Sequence, residues 1–358
     1  MIHHGGKLLN AIAQYGGNQE TWVDLSTGVS PFTYPVPAIP AQVWNRLPQE
    51  HDGLEAVAQR YYGASIQPLA IAGSQAAIML LPATLTDALG RCGRVCLPAV
   101  GYKEHQHAWQ SFQAYGQRWS VEFYHQFPTP EQIAASDVVV VINPNNPTGD
   151  VCSARQLQQL QASLSQRGGY LVVDEAFMDC MPQHSLLSQA EHTDSLIVLR
   201  SIGKFFGLAG ARAGFVFCCS SIMQGLKEQL GPWTVTGPTR WVVTQALQDT
   251  DWQQQTRSRI CESMRRLCSL LRQYFDAPLA STDLFVTLPT RNLPTCNLPT
   301  RNAPWLHQQL CQQQVFTRLC DEGDAIRFGL PHTEQEWVQL QQALSVITTT
   351  QAEVSHAE

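Results

Sequence analysis

The sequence contains no apolar run long enough to cross a membrane, and its first residues show no hydrophobic stretch typical of a secretory signal peptide. It also has no Cys-x-x-Cys pair, although it contains 11 cysteines. An odd number of cysteines without metal-ligand spacing indicates reduced thiols, with a metal site as the weaker alternative. The net charge of −6 gives no general attraction to nucleic acid or anionic lipid. We therefore expect a cytoplasmic protein without a metal, nucleic-acid or membrane partner, in which local arginines hold any acidic substrate.

The central part of the sequence contains a series of apolar, β-branched runs. They are Arg94–Leu97, Asp137–Ile142, Tyr170–Asp174, Leu196–Leu199 and Gly214–Cys219. Hydrophobicity that continues rather than alternates favours strands buried on both faces, as in a parallel sheet covered by helices. The segments between the runs fit amphipathic helices, for example Ser153–Leu164. This alternation predicts an α/β fold with a mostly parallel central sheet sandwiched by helices.

The C-terminal part has a different pattern. The stretch from Trp241 to about Phe275 predicts one long helix, and Asp283–Leu288 and Ala325–Gly329 predict short strands of a smaller α+β domain. The length of 358 residues suffices for two such domains. We expect residues 1–45 to join the small domain, residues 46–235 to form the large domain, and residues 236–358 to form the long helix and small domain.

A five-residue pattern, Leu-Pro-Thr-Arg/Cys-Asn, occurs three times in succession over residues 288–302. The period is too short for a solenoid, and a proline in every copy excludes a helix or a central strand. We interpret the repeat as a surface loop, with a binding role as the less favoured alternative.

The most informative single residue is Lys204, in the glycine-rich segment Ser201–Gly214 that follows an apolar run. Ser201 lies three positions before this lysine and Arg212 eight positions after it, so that a hydroxyl and a guanidinium can reach one phosphate. A lysine in this position can bind an aldehyde cofactor covalently. The spacing indicates pyridoxal phosphate (PLP). The alternative, a surface lysine beside a flexible loop, does not account for the flanking residues.

Polar or aromatic residues lie at or after the ends of four predicted strands. They are Tyr102, Asn146, Asp174 and Lys204. Because ligands of open α/β sheets bind beyond the carboxyl ends of the strands, we expect these residues to share one edge of the sheet.

Each of these residues has a possible role toward the cofactor. Asp174 ends a buried run, where a carboxylate needs a partner, and a cationic pyridinium nitrogen is one that fits. Asn146 lies in a proline-rich turn and can donate a hydrogen bond to the ring oxygen, while Tyr102 can stack on the ring. The alternatives are structural: a helix N-cap or salt bridge for Asp174, an Asx-turn for Asn146, and a core aromatic for Tyr102.

The phosphate of such a cofactor has a further candidate site. Gly73, Ser74 and Gln75 precede an apolar helix, and the backbone N–H groups of a helix N-terminus suit a phosphate dianion. Ser74 alone is equally well explained as an N-cap. Together with Ser201 and Arg212, however, this helix end would complete a phosphate site.

The chain resembles the fold type I PLP-dependent enzymes, the superfamily of aspartate aminotransferase, in four motifs. These are Gly73–Gln75, Asn143–Gly149, Asp174–Phe177 and Ser201–Gly214. The resemblance covers most of the chain and implies a homodimer with each active site at the subunit interface. It also implies that Arg327 binds a substrate anion, and it makes Arg318 a plausible second anion ligand.

Within that superfamily, the chain is similar to the branch of histidinol-phosphate aminotransferases and threonine-phosphate decarboxylases. His4-Gly5-Gly6 matches the opening motif of the decarboxylases, whose histidine lies near the substrate phosphate, and Phe177 replaces a tyrosine common in the aminotransferases. The resemblance implies decarboxylation of L-threonine O-3-phosphate to (R)-1-amino-2-propanol O-2-phosphate in cobalamin biosynthesis. Transamination of a phosphorylated amino acid is the alternative, and a non-catalytic sensor of the same fold is a third interpretation.

One position departs from this branch. Its members usually have a tyrosine before the proline at the position of Leu47, and that tyrosine reaches the phosphate in the partner subunit. Leucine cannot donate a hydrogen bond, so either Tyr61 or Tyr62 replaces it or the contact is missing.

Overall fold

The computed structural model describes residues 4–189, 193–290 and 302–355, with side chains up to residue 348. The chain forms two compact units. The smaller unit comprises Met1–Phe32, Pro147–Gly149 and Gln255–Glu358, and the larger unit comprises Thr33–Asn146 and Asp150–Gln254. The domain limits at residues 45 and 235 suggested by the sequence stay a prediction.

The helices and strands are as follows. The α-helices are α1 (Leu8–Tyr15), α2 (Ala41–Trp44), α3 (Leu54–Tyr62), α4 (Ser74–Leu89), α5 (Lys103–Ser111), α6 (Pro130–Ala135), α7 (Ala154–Ser165), α8 (Leu186–Gln189), α9 (Ser220–Leu230), α10 (Gly237–Gln248), α11 (Thr250–Tyr274), α12 (Ala303–Gln312) and α13 (Glu334–Ser355). The β-strands are β1 (Val23–Asp24), β2 (Leu69–Ile71), β3 (Arg94–Pro98), β4 (Gln113–Ala114), β5 (Gln117–Arg118), β6 (Ser120–Tyr124), β7 (Val138–Ile142), β8 (Tyr170–Asp174), β9 (Leu196–Ser201), β10 (Gly214–Phe217), β11 (Ala280–Thr282), β12 (Phe285–Pro289), β13 (Val315–Phe316), β14 (Arg318–Leu319) and β15 (Ala325–Gly329).

The larger unit contains a seven-stranded sheet in the order β2-β10-β9-β8-β7-β3-β6. Strands β6, β3, β7, β8 and β9 pair in parallel, and β10 pairs antiparallel with both β9 and β2. All five apolar runs of the sequence form strands of this sheet, and β7 and β9 are buried at every residue. The predicted α/β fold with a mostly parallel sheet is confirmed.

Helices cover this sheet because their apolar faces match its apolar side chains. One core joins the alternate residues of β7, β8 and β9 to Ile78 and Leu85 of α4, Trp109 of α5 and Leu226 of α9. Helix α7 begins at a capping box in which the Ser153 hydroxyl accepts the backbone N–H of the third helical residue, and it packs on β8.

The prediction of one helix from Trp241 to Phe275 is wrong, because the chain breaks at Asp249 into α10 and α11. The Asp249 carboxylate accepts the backbone N–H of Trp252, 3.0 Å away, and so serves the start of α11. The Gln253 side chain donates to the carbonyl oxygens of Ala246 and Leu247 at 2.9 and 3.1 Å, which satisfies the end of α10.

The smaller unit contains a four-stranded antiparallel sheet in the order β11-β12-β15-β14 and a parallel pair of β1 with β13. Its predicted strands are both present, although the first begins at Phe285 rather than Asp283. Leu288 and Pro289 of the repeat end strand β12, so the loop interpretation does not hold for its first two residues. Residues 291–301 of the repeat lie outside the described residues.

The described part of the chain has no helix with both the length and the apolarity needed to cross a membrane.

Candidate active site

The carboxyl ends of β3, β7, β8 and β9 lie at one edge of the large sheet, because these strands are parallel. In the ladder, Ile142 at the end of β7 lies opposite Asp174 at the end of β8. Gly214, which begins β10, lies opposite both Ser201 and Ile71. The segments that follow these strands therefore start from the same edge, as expected from the sequence.

Asp174 is buried at this edge, with 3% of its surface exposed. One carboxylate oxygen accepts the backbone N–H of Ala176 at 3.1 Å, and the other lies 2.9 Å from Nε2 of His105. His105 is itself 1% exposed, and its Nδ1 has no hydrogen-bond partner among the described residues. The sequence interpretation missed His105. The only feature of the sequence that could have indicated His105 is its position on α5, about one helical turn after Tyr102.

Lys204 lies in the turn that follows β9 and is partly buried. Its Nζ is 5.4 Å from the centre of the Phe177 ring, within the range of a cation–π interaction. Phe177 follows Asp174 by three residues, so the segments after β8 and β9 approach each other at the lysine.

The start of α4 forms a small cradle. Gly73 precedes the helix with φ of 81°, and a Cβ atom built on it would lie 3.0 Å from Nη2 of Arg212. A Cβ atom on Gly214 would lie 2.9 Å from the backbone nitrogen of Ser74. Since Gly214 pairs with Ser201, the structure brings together a helix N-terminus, a guanidinium and a hydroxyl-bearing residue. This set of donors suits a phosphate group.

Gln75 connects this cradle to Tyr102. Tyr102 donates its hydroxyl to Oε1 of Gln75 at 3.1 Å, and Gln75 donates its amide to Glu104 at 2.8 Å. Burial, and then the negative charge of Glu104, raise the pKa of the Tyr102 hydroxyl, which therefore stays protonated. These bonds fix the tyrosine ring from its hydroxyl end.

The turn after β7 is shaped by its other two asparagines. The side-chain amide of Asn143 donates to the carbonyl of Cys152 at 3.1 Å and accepts the backbone N–H of the same residue at 2.9 Å. Asn145 donates to the carbonyl of Val100, also at 2.9 Å. Asn146 follows them and is partly buried. The hydrogen bonds that shape this loop therefore include those of Asn143 and Asn145.

In the smaller unit, Arg318 and Arg327 lie directly opposite each other on β14 and β15. Arg327 is 7% exposed and donates to the carbonyl of Ser26 at 2.8 Å, and Arg318 pairs with Asp321 at 2.9 Å. Burial lowers the pKa of the Arg327 guanidinium to about 10, which still leaves it cationic at neutral pH. Two guanidinium groups on opposite residues form a local concentration of positive charge, which makes this pair a candidate anion site.

The His4-Gly5-Gly6 segment packs against the same residue, Ser26. The backbone N–H of Gly6 donates to the Ser26 hydroxyl at 2.7 Å, and a Cβ atom on Gly5 would overlap the Ser26 carbonyl oxygen. Because that oxygen also accepts from Arg327, the segment that carries His4 is connected to Arg327 through Ser26.

Leu47, which replaces the tyrosine usual in this branch, is 65% exposed. Tyr62 cannot supply the hydroxyl that Leu47 lacks, because it is 5% exposed and its ring lies against the Arg200 guanidinium at 4.3 Å. Tyr61 packs on Phe206, with ring centres 5.8 Å apart, and is partly buried.

Comparison with known proteins places the chain in a family. The family described as aminotransferase class I and II matches residues 45–344, and the chain belongs to it.

Two curated relatives are similar over nearly the full length. The threonine-phosphate decarboxylase of Pseudomonas aeruginosa is 43% identical over 96% of this chain and 97% of its own. The threonine-phosphate decarboxylase of a Sinorhizobium species is 33% identical over 92% of this chain and 93% of its own.

Solved structures share the fold. The histidinol-phosphate aminotransferase of Sinorhizobium meliloti, in complex with pyridoxal-5'-phosphate, matches with a TM-score of 0.77 over 98% of this chain and 96% of that chain, at 17% identity. The histidinol-phosphate aminotransferase of Clostridium acetobutylicum matches with a TM-score of 0.74 over 92% of this chain and 99% of that chain, at 18% identity.

Proposed function

We propose that the protein is a PLP-dependent carboxy-lyase that converts L-threonine O-3-phosphate to (R)-1-amino-2-propanol O-2-phosphate, a step of cobalamin biosynthesis. The observation that carries this proposal is the similarity, from end to end, to two proteins named threonine-phosphate decarboxylase. The histidinol-phosphate aminotransferases among the curated relatives match less of the chain, for example 32% identity over 38% of it.

The residues at the sheet edge fit PLP. The start of α4, with Gly73, Ser74 and Gln75, would hold its phosphate together with Ser201 and Arg212, since the glycines allow Arg212 and the start of β10 to approach the helix end closely. The Lys204 amine would bind its aldehyde carbon. Asp174 would accept a hydrogen bond from the ring nitrogen, Asn146 would donate to the ring oxygen, and Tyr102 would lie on the ring face. When bound, PLP supplies an electron sink for charge that develops at the substrate α-carbon.

The protein's own groups would keep this arrangement fixed. His105 holds the Asp174 carboxylate at 2.9 Å, inside the protein and away from water. A charge is more effective there than in solvent, so Asp174 would keep the ring nitrogen protonated. The Lys204 amine, once protonated, could also deliver the proton that replaces the departing carboxylate at the α-carbon.

The reaction outcome would depend on how anions of the substrate are held. Which bond at the α-carbon breaks would depend on how the residues of the site orient the substrate, and residues that fix the distal phosphate would leave the carboxylate free to depart as carbon dioxide. Arg327, Arg318 and His4 are the residues we propose for binding the two substrate anions.

A first prediction concerns Arg327. In the variant Arg327→Gln, KM for threonine phosphate should rise by about 10- to 100-fold, because a charge-assisted hydrogen bond of about 1.5–3 kcal/mol is lost. PLP affinity should stay within about twofold of the parent value. Steady-state kinetics and PLP titration of the apoprotein measure the two quantities.

The matched control is Arg266→Gln, which removes an exposed arginine of the same unit that pairs with Glu334. Exposed pairs contribute little, so KM should not change. A parent-like KM in Arg327→Gln would refute the substrate-binding role.

The proposed reaction is tested by its products. The purified protein, loaded with PLP, is incubated with threonine phosphate with and without 2-oxoglutarate, and carbon dioxide and glutamate are measured. We expect carbon dioxide in both reactions. Glutamate without carbon dioxide would instead identify an aminotransferase, and neither product would favour a non-catalytic sensor.

We also propose a cytoplasmic homodimer. The described cysteines form no disulfide, which supports the location. Exposed apolar side chains of the larger unit, Trp44, Leu47 and Trp233, support an interface. A solution mass of one chain by light scattering would contradict the dimer.

A further inference from the structure

We propose that Arg200 is a positioning residue for the active site: its buried ion network fixes the ends of β8 and β9 and thereby the placement of Asp174 and Lys204. The proposal rests on the proposed function, because it presumes that these two residues serve PLP. The described contacts of the Arg200 side chain are with Glu175, Asp179, Ser185 and Tyr62, and we assign none of these to the cofactor.

The network lies entirely inside the protein. The Arg200 side chain is 1% accessible, and the carboxylates of Glu175 and Asp179 are 0% and 1% accessible. Arg200 donates to Glu175 at 2.6 Å and to Asp179 at 3.0 Å, and its guanidinium lies 4.3 Å from the centre of the Tyr62 ring. Glu175 also accepts the Ser185 hydroxyl at 2.5 Å. One planar guanidinium thus joins two carboxylates that come from the segment after β8.

The network is adjacent in sequence to the site. Glu175 follows Asp174 directly, and Arg200 precedes Ser201 directly, four residues before Lys204. The two strand ends are joined by the backbone N–H of Glu175, which donates to the carbonyl of Leu199 at 2.9 Å. Any movement of Glu175 would therefore reach Asp174 directly, and any movement of Arg200 would reach Ser201 directly and Lys204 within four residues.

The network and the site lie on opposite faces of the sheet. Side chains alternate along a strand, and Ile197 and Leu199 share one core with Val172. Ser201 therefore continues the face of Leu199, and Asp174 continues that of Val172. Arg200 projects to the other face. Arg200 can thus fix the ends of β8 and β9 from the opposite face of the sheet, without entering the site.

A purely structural role makes a different prediction. Changing one partner of a buried ion pair destabilises the fold, so a purely structural role predicts a loss of thermal stability without a selective loss of PLP affinity. A positioning role requires that cofactor binding and kcat fall while substrate recognition by the arginines of the smaller unit is retained. The two roles are separable by comparing arginines of similar burial.

The decisive variant is Arg200→Lys, which keeps the charge but cannot bridge two carboxylates with a planar fork. We expect kcat to fall by about 10- to 100-fold, as for misplacement of reacting groups by about 1 Å. The Kd for PLP, from absorbance titration of the apoprotein, should rise by about 10-fold or more, a size typical for loss of supporting contacts. KM for threonine phosphate should change by less than about threefold. A second variant, Glu175→Gln, keeps nearly the shape of the glutamate side chain but removes its charge. It should change kcat, PLP Kd and KM in the same directions, and it replaces Arg200→Lys in the test if that variant does not fold.

The matched control is Arg240→Lys. Arg240 belongs to the same unit, is 7% accessible, and bridges two carboxylates, Asp52 and Glu55, at 2.6 and 2.9 Å. This variant should lose thermal stability comparably yet keep its PLP Kd within about twofold of the parent.

Equal effects of Arg200→Lys and Arg240→Lys on PLP Kd would overturn the positioning role, and so would a parent-like Kd and kcat in Arg200→Lys. Because PLP titration does not depend on which reaction occurs, a parent protein that binds PLP but releases no carbon dioxide would refute only the proposed reaction. A parent protein that binds no PLP would overturn both proposals.

Discussion

Replacing Lys204 by alanine should lower kcat by at least about 1,000-fold, because one amine is expected both to hold the cofactor and to move a proton at the substrate α-carbon. Its position after β9, with Nζ 5.4 Å from the Phe177 ring, places that amine beside the segment that follows Asp174. Carbon dioxide release measures the loss. A second measurement is independent of turnover: after borohydride reduction, mass spectrometry should find PLP attached to residue 204 of the parent and no attachment in Lys204→Ala.

The control for this prediction is Lys227→Ala, which removes an exposed lysine on α9 of the same unit. It should retain the activity and the covalent label of the parent. If Lys204→Ala turned over substrate at the parent rate, the whole mechanism would be refuted, whatever the substrate.

Asp174→Asn should lower kcat by about 100- to 1,000-fold while the protein still binds PLP. A neutral amide lacks the charge that would keep the ring nitrogen protonated, and in this buried position no water can replace it. A fall in kcat of this size is typical for the loss of one pre-organised electrostatic contact in a closed active site. Steady-state kinetics gives kcat, and the visible absorbance of the bound cofactor confirms that the site is loaded.

Asp174→Glu separates charge from placement, because it keeps the carboxylate but lengthens the side chain toward His105. Its kcat should lie between those of the parent and Asp174→Asn. The matched control is Asp137→Asn, a carboxylate just before β7 that pairs with Arg91. It should keep the parent kcat, and retention of more than about a tenth of kcat in Asp174→Asn would contradict the role of the charge.

Much of the larger unit could be predicted from the sequence because its determinants are local. Continuous runs of valine and isoleucine have few alternatives to buried parallel strands, and they form β7 and β9 with every residue buried. Once these strands are parallel, chain order alone brings Asp174, Ser201 and Lys204 to one edge.

The residues that the sequence did not reveal depend on contacts far along the chain. His105 contacts Asp174 across 69 positions, and the polar helix that carries it gives no sign of which histidine faces inward. Arg200 follows the apolar run Leu196–Leu199 and has no nearby sequence signal of its partners, since its ion pairs exist only because β8 and β9 are neighbours in the sheet. The break at Asp249 was missed for another reason. A polar helical pattern continues on both sides of it, and only the aspartate before Thr250 marked a new N-cap.

The antiparallel return of β10 has a consequence for how tightly a cofactor could be held. Since Gly214 pairs with Ser201, the residues between them form a closed loop that leaves and re-enters the sheet at the same edge. Lys204 and Arg212 both belong to this loop, one suited to an aldehyde and the other to a phosphate. A ligand bound by one of these groups would therefore meet the other at a high effective concentration set by the loop itself. The covalent and the ionic interaction would then act together as one bivalent attachment.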